Sequence, residues 1–81
     1  MIQDRLRVFM TDQLNWPGPA SKLTNDYPLL ENNVLDSLGM FEILSFVESE
    51  FSVEIANDEL IPSNFGTIDD IARLIASKQP A

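Results

Sequence analysis

The sequence predicts an all-α domain: a small four-helix bundle with three main helices, a short third helix and a long ordered loop between helices 1 and 2. Apolar residues recur at helical spacing in three segments. Polar and apolar residues alternate only over residues 51–55, which we interpret as a packed connector. The 81 residues suffice for about one domain. We therefore expect residues 1–81 to form a single domain, ordered over about residues 2–77.

The first helix is predicted over about residues 2–15, ending before Pro17. Its apolar stripe consists of Ile2, Leu6, Phe9, Met10 and Leu14. The connection that follows, from residue 15 to residue 36, is longer than compact domains normally tolerate without order or function. We expect apolar side chains along it to hold it on the core: Leu23, Tyr27, Leu29, Leu30, Val34 and Leu35.

The second helix is predicted to begin at Ser37. Asp36 is a favourable N-cap, because its side-chain oxygen can accept from free amides of the first turn. At 100° per residue the expected core face consists of Met40, Phe41, Leu44, Val47 and Phe51, flanked by Ile43. Leu38 and Phe46 lie off that face, nearer to Glu42, Ser45 and Ser49. We interpret Leu38 and Phe46 as an exposed pair that could contact a partner.

The remaining elements have recognisable ends. Asn57 is predicted to cap a short helical segment of about residues 58–61, which Pro62 stops. Thr67 is predicted to cap the last helix, with Asp70 three residues later as a shortened capping box. The buried face of that helix is expected to be Ile68, Ile71, Ala72, Leu74 and Ile75. We expect fraying from Lys78 onward.

Composition excludes several classes of function. The chain has no cysteine and no histidine, so it lacks thiol nucleophiles, thiolate or imidazole metal ligands and the usual general base near neutral pH. Thirteen acidic residues against five basic ones give a net charge of −8, which disfavours nucleic acid and anionic membranes. No apolar run is long enough for a membrane span, and we expect a cytoplasmic, monomeric protein.

The charge is concentrated in the middle of the chain. Eleven acidic residues and no lysine or arginine lie between Leu23 and Ala72. Such a field is compatible with a solvated surface alone, and equally with attraction to a partner that presents a basic face.

Residues 23–38, LTNDYPLLENNVLDSL, resemble the approach to the attachment serine of acyl and peptidyl carrier proteins. The resemblance continues through residues 41–44, 48–51, 54–55 and 64–68 and covers about residues 23–76. Taken alone, Asp-Ser-Leu at a helix start is only a cap, whereas the whole pattern is specific. The sequence is therefore identified as similar to the phosphopantetheine-dependent carrier proteins.

This resemblance implies that Ser37 carries 4′-phosphopantetheine, transferred from coenzyme A by a Mg²⁺-dependent phosphopantetheinyl transferase. An acyl or aminoacyl group would be held on the arm as a thioester. Asp36 would serve as cap and recognition residue, and partner enzymes would include a loading enzyme and a downstream synthase or transferase with a basic docking face. The expected contact residues are Leu38, Glu42, Ser45, Phe46 and Glu48.

The sequence departs from the family pattern at two places. Asn32 and Asn33 stand where a glycine is common, and asparagine tolerates the left-handed conformation that glycine would supply. Ala56 replaces a proline of many fatty-acid-type members. This departure disfavours housekeeping fatty-acid synthesis, and residues 61–67 (IPSNFGT) are more similar to freestanding carriers of polyketide, nonribosomal-peptide or D-alanine pathways.

Two other readings stay open at this point. The chain could be an acidic helical adaptor without a prosthetic group, in which Asp36 and Ser37 only cap a helix. A small carboxylate-based hydrolase is disfavoured, because so short a helical chain has little room for two opposed carboxylates in a cleft.

Overall fold

The computed structural model describes residues 2–14, 16 and 18–79, and within them all regular structure is helical. The α-helices are α1 (Ile2–Gln13), α2 (Ser37–Phe51), α3 (Pro62–Phe65) and α4 (Ile68–Lys78). Single 3₁₀ turns occur at Ala20–Lys22 and Asn57–Glu59. The described part contains no strand, and its extents are 34 × 24 × 19 Å. The predicted all-α bundle of three main helices and a short third helix is confirmed.

The core is apolar and receives side chains from all four helices. Leu6 and Met10 of α1, Ile43 of α2 and Phe65 of α3 are fully buried. The predicted face of α4 is also buried: Ile68, Ile71, Ala72, Leu74 and Ile75. No polar or charged residue of the described part is buried. Because each buried aliphatic side chain contributes about 1.5–3 kcal/mol, these contacts are the main source of stability.

The described residues of the long connection between α1 and α2 pack against the core, as predicted. Leu23, Leu29, Val34 and Leu35 are buried in the core. The Leu29 amide donates to the Gly66 carbonyl at 2.8 Å, which ties the loop to the end of α3. The predicted end of the first helix at residue 15, before Pro17, lies outside the described residues, since neither Asn15 nor Pro17 belongs to them; α1 itself ends at Gln13.

The orientation of α2 differs from the prediction. Its fully buried positions are Gly39, Ile43 and Val47, whereas Met40, Leu44 and Phe51 are half-buried. Phe41, which was expected in the core, is 69% exposed. The helix is apolar over most of its circumference, so periodicity alone did not locate the buried side. Gly39 faces Leu14, the residue that follows α1, whose Cδ2 lies 3.6 Å from the position that a Cβ would occupy, so the close approach is made on the glycine side of α2.

The prediction that Pro62 stops a helix was wrong. Asn57 begins the 3₁₀ turn, and the N-cap position is Ala56, whose amide donates to Glu59 Oε1 at 2.9 Å. Pro62 is the first residue of α3. Proline suits that position because its missing N–H has no intrahelical partner there, and Ile61 is extended as a residue before proline prefers.

Both ends of α4 are tied down. Thr67 caps the helix as predicted, its Oγ1 accepting from the Asp70 amide at 3.1 Å. Lys78, where fraying was expected to begin, is helical, and its Nζ lies 2.6 Å from Glu59 Oε1. The hydrogen bond from Lys78, together with that from the Ala56 amide, lowers the pKa of the Glu59 carboxyl from its usual 4.5.

Candidate functional site

The start of α2 is a fixed, capped helix terminus. Asp36 is extended, with φ −100° and ψ −172°, and its Oδ1 accepts from the Gly39 amide at 2.7 Å. The Asp36 carbonyl accepts from Met40 at 2.8 Å, which is the first intrahelical bond. The predicted cap is confirmed. A Cβ on Gly39 would lie 3.2 Å from Asp36 Oδ1, so glycine gives the cap room.

The turn before the cap is held from both sides. Val34 and Leu35 are buried, and their amides donate to the Leu29 carbonyl at 3.0 and 3.2 Å. Asn33 has a left-handed φ of 59°. Asparagine tolerates left-handed backbone angles better than most residues. The expectation that an asparagine supplies the conformation of the missing glycine is thus confirmed at Asn33. The two buried side chains then point the following residues outward.

Ser37 lies at the first position of α2 with an exposed side chain. Among the residues that the structure describes, none hydrogen-bonds to its hydroxyl. Free amides of the first turn and the helix dipole favour an anion beside this hydroxyl. An exposed nucleophilic oxygen at a positively polarised helix end fits a phosphodiester, and the neighbouring Asp36 carboxylate is occupied by the cap.

The residues of α2 that were expected to contact partners differ in how far they are exposed. Leu38 is 69% exposed, and Glu42 and Ser45 are also exposed. Phe46 is half-buried, which corrects the view of it as an exposed residue: its ring stacks on Phe9 of α1 at 4.3 Å between centroids. The reason is that Phe46 lies on the side of α2 that faces α1.

Glu48 is already engaged within the fold. It is half-buried, and its Oε2 accepts from the Ile55 amide at 3.1 Å. The carboxylate therefore holds the connector after α2 against the helix. Sequence reasoning did not find this contact, because it joins residues seven positions apart across an irregular turn.

An open groove along the seam of α1 and α2 was also missed. One part, of about 540 Å³, is lined by Phe9 and Gln13 from α1 and by Phe41, Glu42 and Ser45 among others from α2. A signal for it existed: Phe9 lies at the edge of its apolar stripe, and Phe46 is a large apolar residue off the predicted core face of α2. Only the packing of the two helices brings these two side chains together.

No protein-family model matches the sequence. A curated relative, described as "Probable acyl carrier protein PigG" from a Serratia species, is 33% identical over 58 residues, which are 72% of this chain and 67% of that protein. A chain in a crystal structure described as that of an FAD-dependent dehydrogenase matches with a TM-score of 0.78 and 33% identity, over 86% of this chain and 97% of that chain.

The fold defines a small all-α helical domain, and the similarity to the curated relative is high enough to assign the family. The chain belongs to the acyl carrier proteins. Membership implies a carrier that serves partner enzymes and is not itself a catalyst. Within the described part, no helix is both long and apolar enough to cross a membrane.

Proposed function

We propose that the chain, as one domain over residues 1–81, carries an acyl or aminoacyl group on a 4′-phosphopantetheine arm attached to Ser37. The observation that supports this most is the exposed hydroxyl of Ser37 at the first position of α2, in a member of the acyl carrier family. The arm supplies a thiol, which this cysteine-free chain lacks, and holds the group as a thioester.

Attachment requires little chemistry from this chain. The Ser37 oxygen forms a bond to the phosphorus that bears pantetheine in coenzyme A, and the bond from that phosphorus to adenosine 3′,5′-bisphosphate breaks. The hydroxyl proton passes to a base of the transferase, because this chain has no histidine and the adjacent Asp36 carboxylate accepts from Gly39. Asp36 therefore keeps the helix end in place, and the first-turn amides favour the new anion.

The partner surface proposed for transferase, loading and downstream enzymes surrounds Ser37 on α2. Leu38 offers an apolar contact beside the serine, and Glu42 and Ser45 continue along the exposed side. Glu48 adds negative charge near this side while it holds Ile55. Because a chain of similar length and 33% identity occurs in a crystal structure of an FAD-dependent dehydrogenase, that enzyme class is the first downstream partner to test.

The proposed pathway is a specialised one, namely polyketide biosynthesis, nonribosomal peptide biosynthesis or a related route. The proposed location of the carrier is the cytoplasm. Ala56 supports this over housekeeping fatty-acid synthesis, since many fatty-acid-type members have proline there.

Incubation with a broad-specificity phosphopantetheinyl transferase, Mg²⁺ and coenzyme A tests the attachment. We expect intact mass to rise by one phosphopantetheine and peptide mapping to locate it on Ser37. Ser37→Ala is expected to stay unmodified. Ser63→Ala is the matched control, because Ser63 is likewise an exposed serine in the first turn of a helix. A bare Ser37 with a competent transferase would instead support the acidic adaptor.

A further inference from the structure

The outer side of α1 and the last turns of α2 form a surface at the opposite end of α2 from Ser37. Leu14, the residue after α1, approaches Gly39 near the start of α2, whereas Arg5 pairs with Glu50 near its end. The two helices therefore run antiparallel. At a rise of about 1.5 Å per residue, Glu50 lies roughly 20 Å along α2 from Ser37. The surface around the pair of Arg5 and Glu50 is thus separate from the surface around Ser37.

An open cavity of about 510 Å³ lies at this surface, and α1 supplies most of its lining. The apolar part of the lining consists of Val8, Phe9 and Phe46. The two phenylalanine rings stack at 4.3 Å between centroids and are half-buried, and Val8 beside them is 58% exposed. A contiguous apolar surface at a cavity marks an interaction site, whereas a single exposed apolar residue is ordinary.

Acidic side chains flank this apolar part. Asp4 and Asp12 stand one helical turn before and after Val8, so the three exposed side chains form one row along α1. Glu50 lines the same cavity from α2. Asp4 accepts from Arg7 at 2.8 Å, whereas Asp12 has no ion-pair partner within the described part of the chain.

The charge of the lining favours a cationic occupant. Arg5 is the one cation among the described lining residues, and it donates to Glu50. Three carboxylates against one guanidinium leave two net negative charges in the lining, on a chain of net charge −8. A second copy of this chain would meet repulsion here, and so would nucleic acid or an anionic membrane. Six of these residues form what we term the Val8 face: Asp4, Val8, Phe9, Asp12, Phe46 and Glu50.

We propose that the Val8 face docks an amphipathic helix of a partner protein. That helix presents an apolar side chain with a lysine or arginine one turn before it and another one turn after it, which is complementary to the row of Asp4, Val8 and Asp12. The row is roughly 12 Å long and so matches two to three helical turns. The docked helix holds the chain on another protein while Ser37, at the far end of α2, stays exposed. This inference does not depend on attachment at Ser37.

The test uses the full chain, ¹⁵N-labelled and without the arm, with a fluorescein-labelled synthetic helical peptide of about 18 residues, long enough to be helical. The peptide carries a leucine stripe with lysines one turn before and after. A control peptide of the same composition has its lysines on the side opposite the leucines. We expect the first peptide to shift the amides of residues 4–12 and 46–50 and to bind about fivefold or more tightly than the control.

Val8→Lys is expected to weaken binding of the first peptide about tenfold or more, because it removes an apolar contact and adds a like charge. The side chain is exposed, so the variant should fold, and unchanged amide shifts of α4 check this. Ile61→Lys makes the same change in charge at another exposed apolar residue and should weaken binding less than about twofold. Asp12→Asn should weaken binding about threefold, and Asp58→Asn, at an exposed acid outside the lining, much less.

Shifts centred on the first turn of α2, equal binding of the two peptides, or equal weakening by Val8→Lys and Ile61→Lys would each overturn the inference. The absence of saturable binding up to about 1 mM peptide would do so as well. Shifts of α1 amides that grow with the concentration of the free protein would assign the face to a second copy instead. Shifts of the same amides when Ser37 is loaded with an acyl group would assign it to the cargo. Because peptide binding is measured without the arm, a Ser37 that stays bare in the transferase test leaves this result unaffected.

Discussion

Asp36 and Asn33 fix the direction in which the next residues leave the core. Asn33 turns the chain in the left-handed region, and Asp36 closes the helix end through the Gly39 amide. Together they place Ser37 at the surface on a capped helix terminus. An attachment point needs this combination, because the oxygen must be accessible while the backbone behind it stays still.

At the residue scale, Asp36→Ala is expected to lower the free energy of unfolding by about 1 kcal/mol, because the Gly39 amide loses its acceptor. Urea unfolding measures the loss. Asp36→Asn keeps the acceptor and removes the charge, so it should stay within about 0.5 kcal/mol of the parent. If Asn and Ala cost the same, the charge and not the cap is the source of stability. Glu31→Ala, an exposed acid of the same loop, controls for the general change of charge.

At the element scale, α4 is joined to the turn that precedes α3 by the ion pair of Glu59 and Lys78. The turn Asn57–Glu59 lies well before the end of α4 in sequence, so the pair links two segments that no local signal connects. The contact is partly exposed, with side-chain exposures of 24% and 27%, so its contribution is screened by solvent.

This contact has a predictable pH dependence. The folded pKa of Glu59 is lowered, so its contribution to stability is fully present above 4.5 and is lost as the pH falls through the folded pKa. Lys78→Met removes the largest cause of the lowering. We expect the difference in urea midpoint between parent and Lys78→Met to be largest near about pH 6 and to shrink towards about pH 3.

Lys22→Met serves as the control for the loss of one cation, since Lys22 is exposed on the 3₁₀ turn after α1. The midpoint difference between parent and Lys22→Met should vary much less over the same pH range. A Lys78→Met difference that stays constant, or grows on acidification, would contradict the assignment of the lowered pKa to Lys78.

At the scale of the whole molecule, the acidic field is the dominant long-range property. No lysine or arginine lies among the eleven acids between Leu23 and Ala72, and seven of these acids are exposed. Three of the eleven form ion pairs with cations outside that segment: Glu50 with Arg5, Glu59 with Lys78 and Asp70 with Arg73. Most of the field therefore faces solvent. Exposed charge of one sign accelerates encounter with a basic partner and adds modest affinity, which suits a carrier that must leave each enzyme.

We expect the association rate with the phosphopantetheinyl transferase to fall roughly tenfold or more between low and high salt, because ions screen this attraction. Stopped-flow binding over a range of ionic strengths measures it. Glu42→Gln should reduce the salt slope more than Glu54→Gln, since Glu42 lies on the same exposed side as Leu38 and Glu54 is an exposed acid of the connector. Rates independent of salt would contradict steering by the acidic field.

The sequence by itself determined the helical class, the left-handed turn before α2, the start of α2, the Thr67 cap and the buried face of α4. Each depends on a signal contained within a few residues: a cap, a left-handed asparagine, or a narrow apolar stripe. Such signals act locally whatever the neighbouring elements do.

Only the tertiary structure decided which side of α2 is buried, that Pro62 opens α3, and that Phe9 meets Phe46. The apolar residues of α2 surround most of the helix, so several rotations bury similar area, and the approach of Leu14 to Gly39 selects one of them. That choice leaves Phe41 outside and stacks Phe46 on Phe9. The groove along the seam of α1 and α2 follows from this orientation of α2, because a groove between two helices depends on how they pack and not on the apolar pattern of either one.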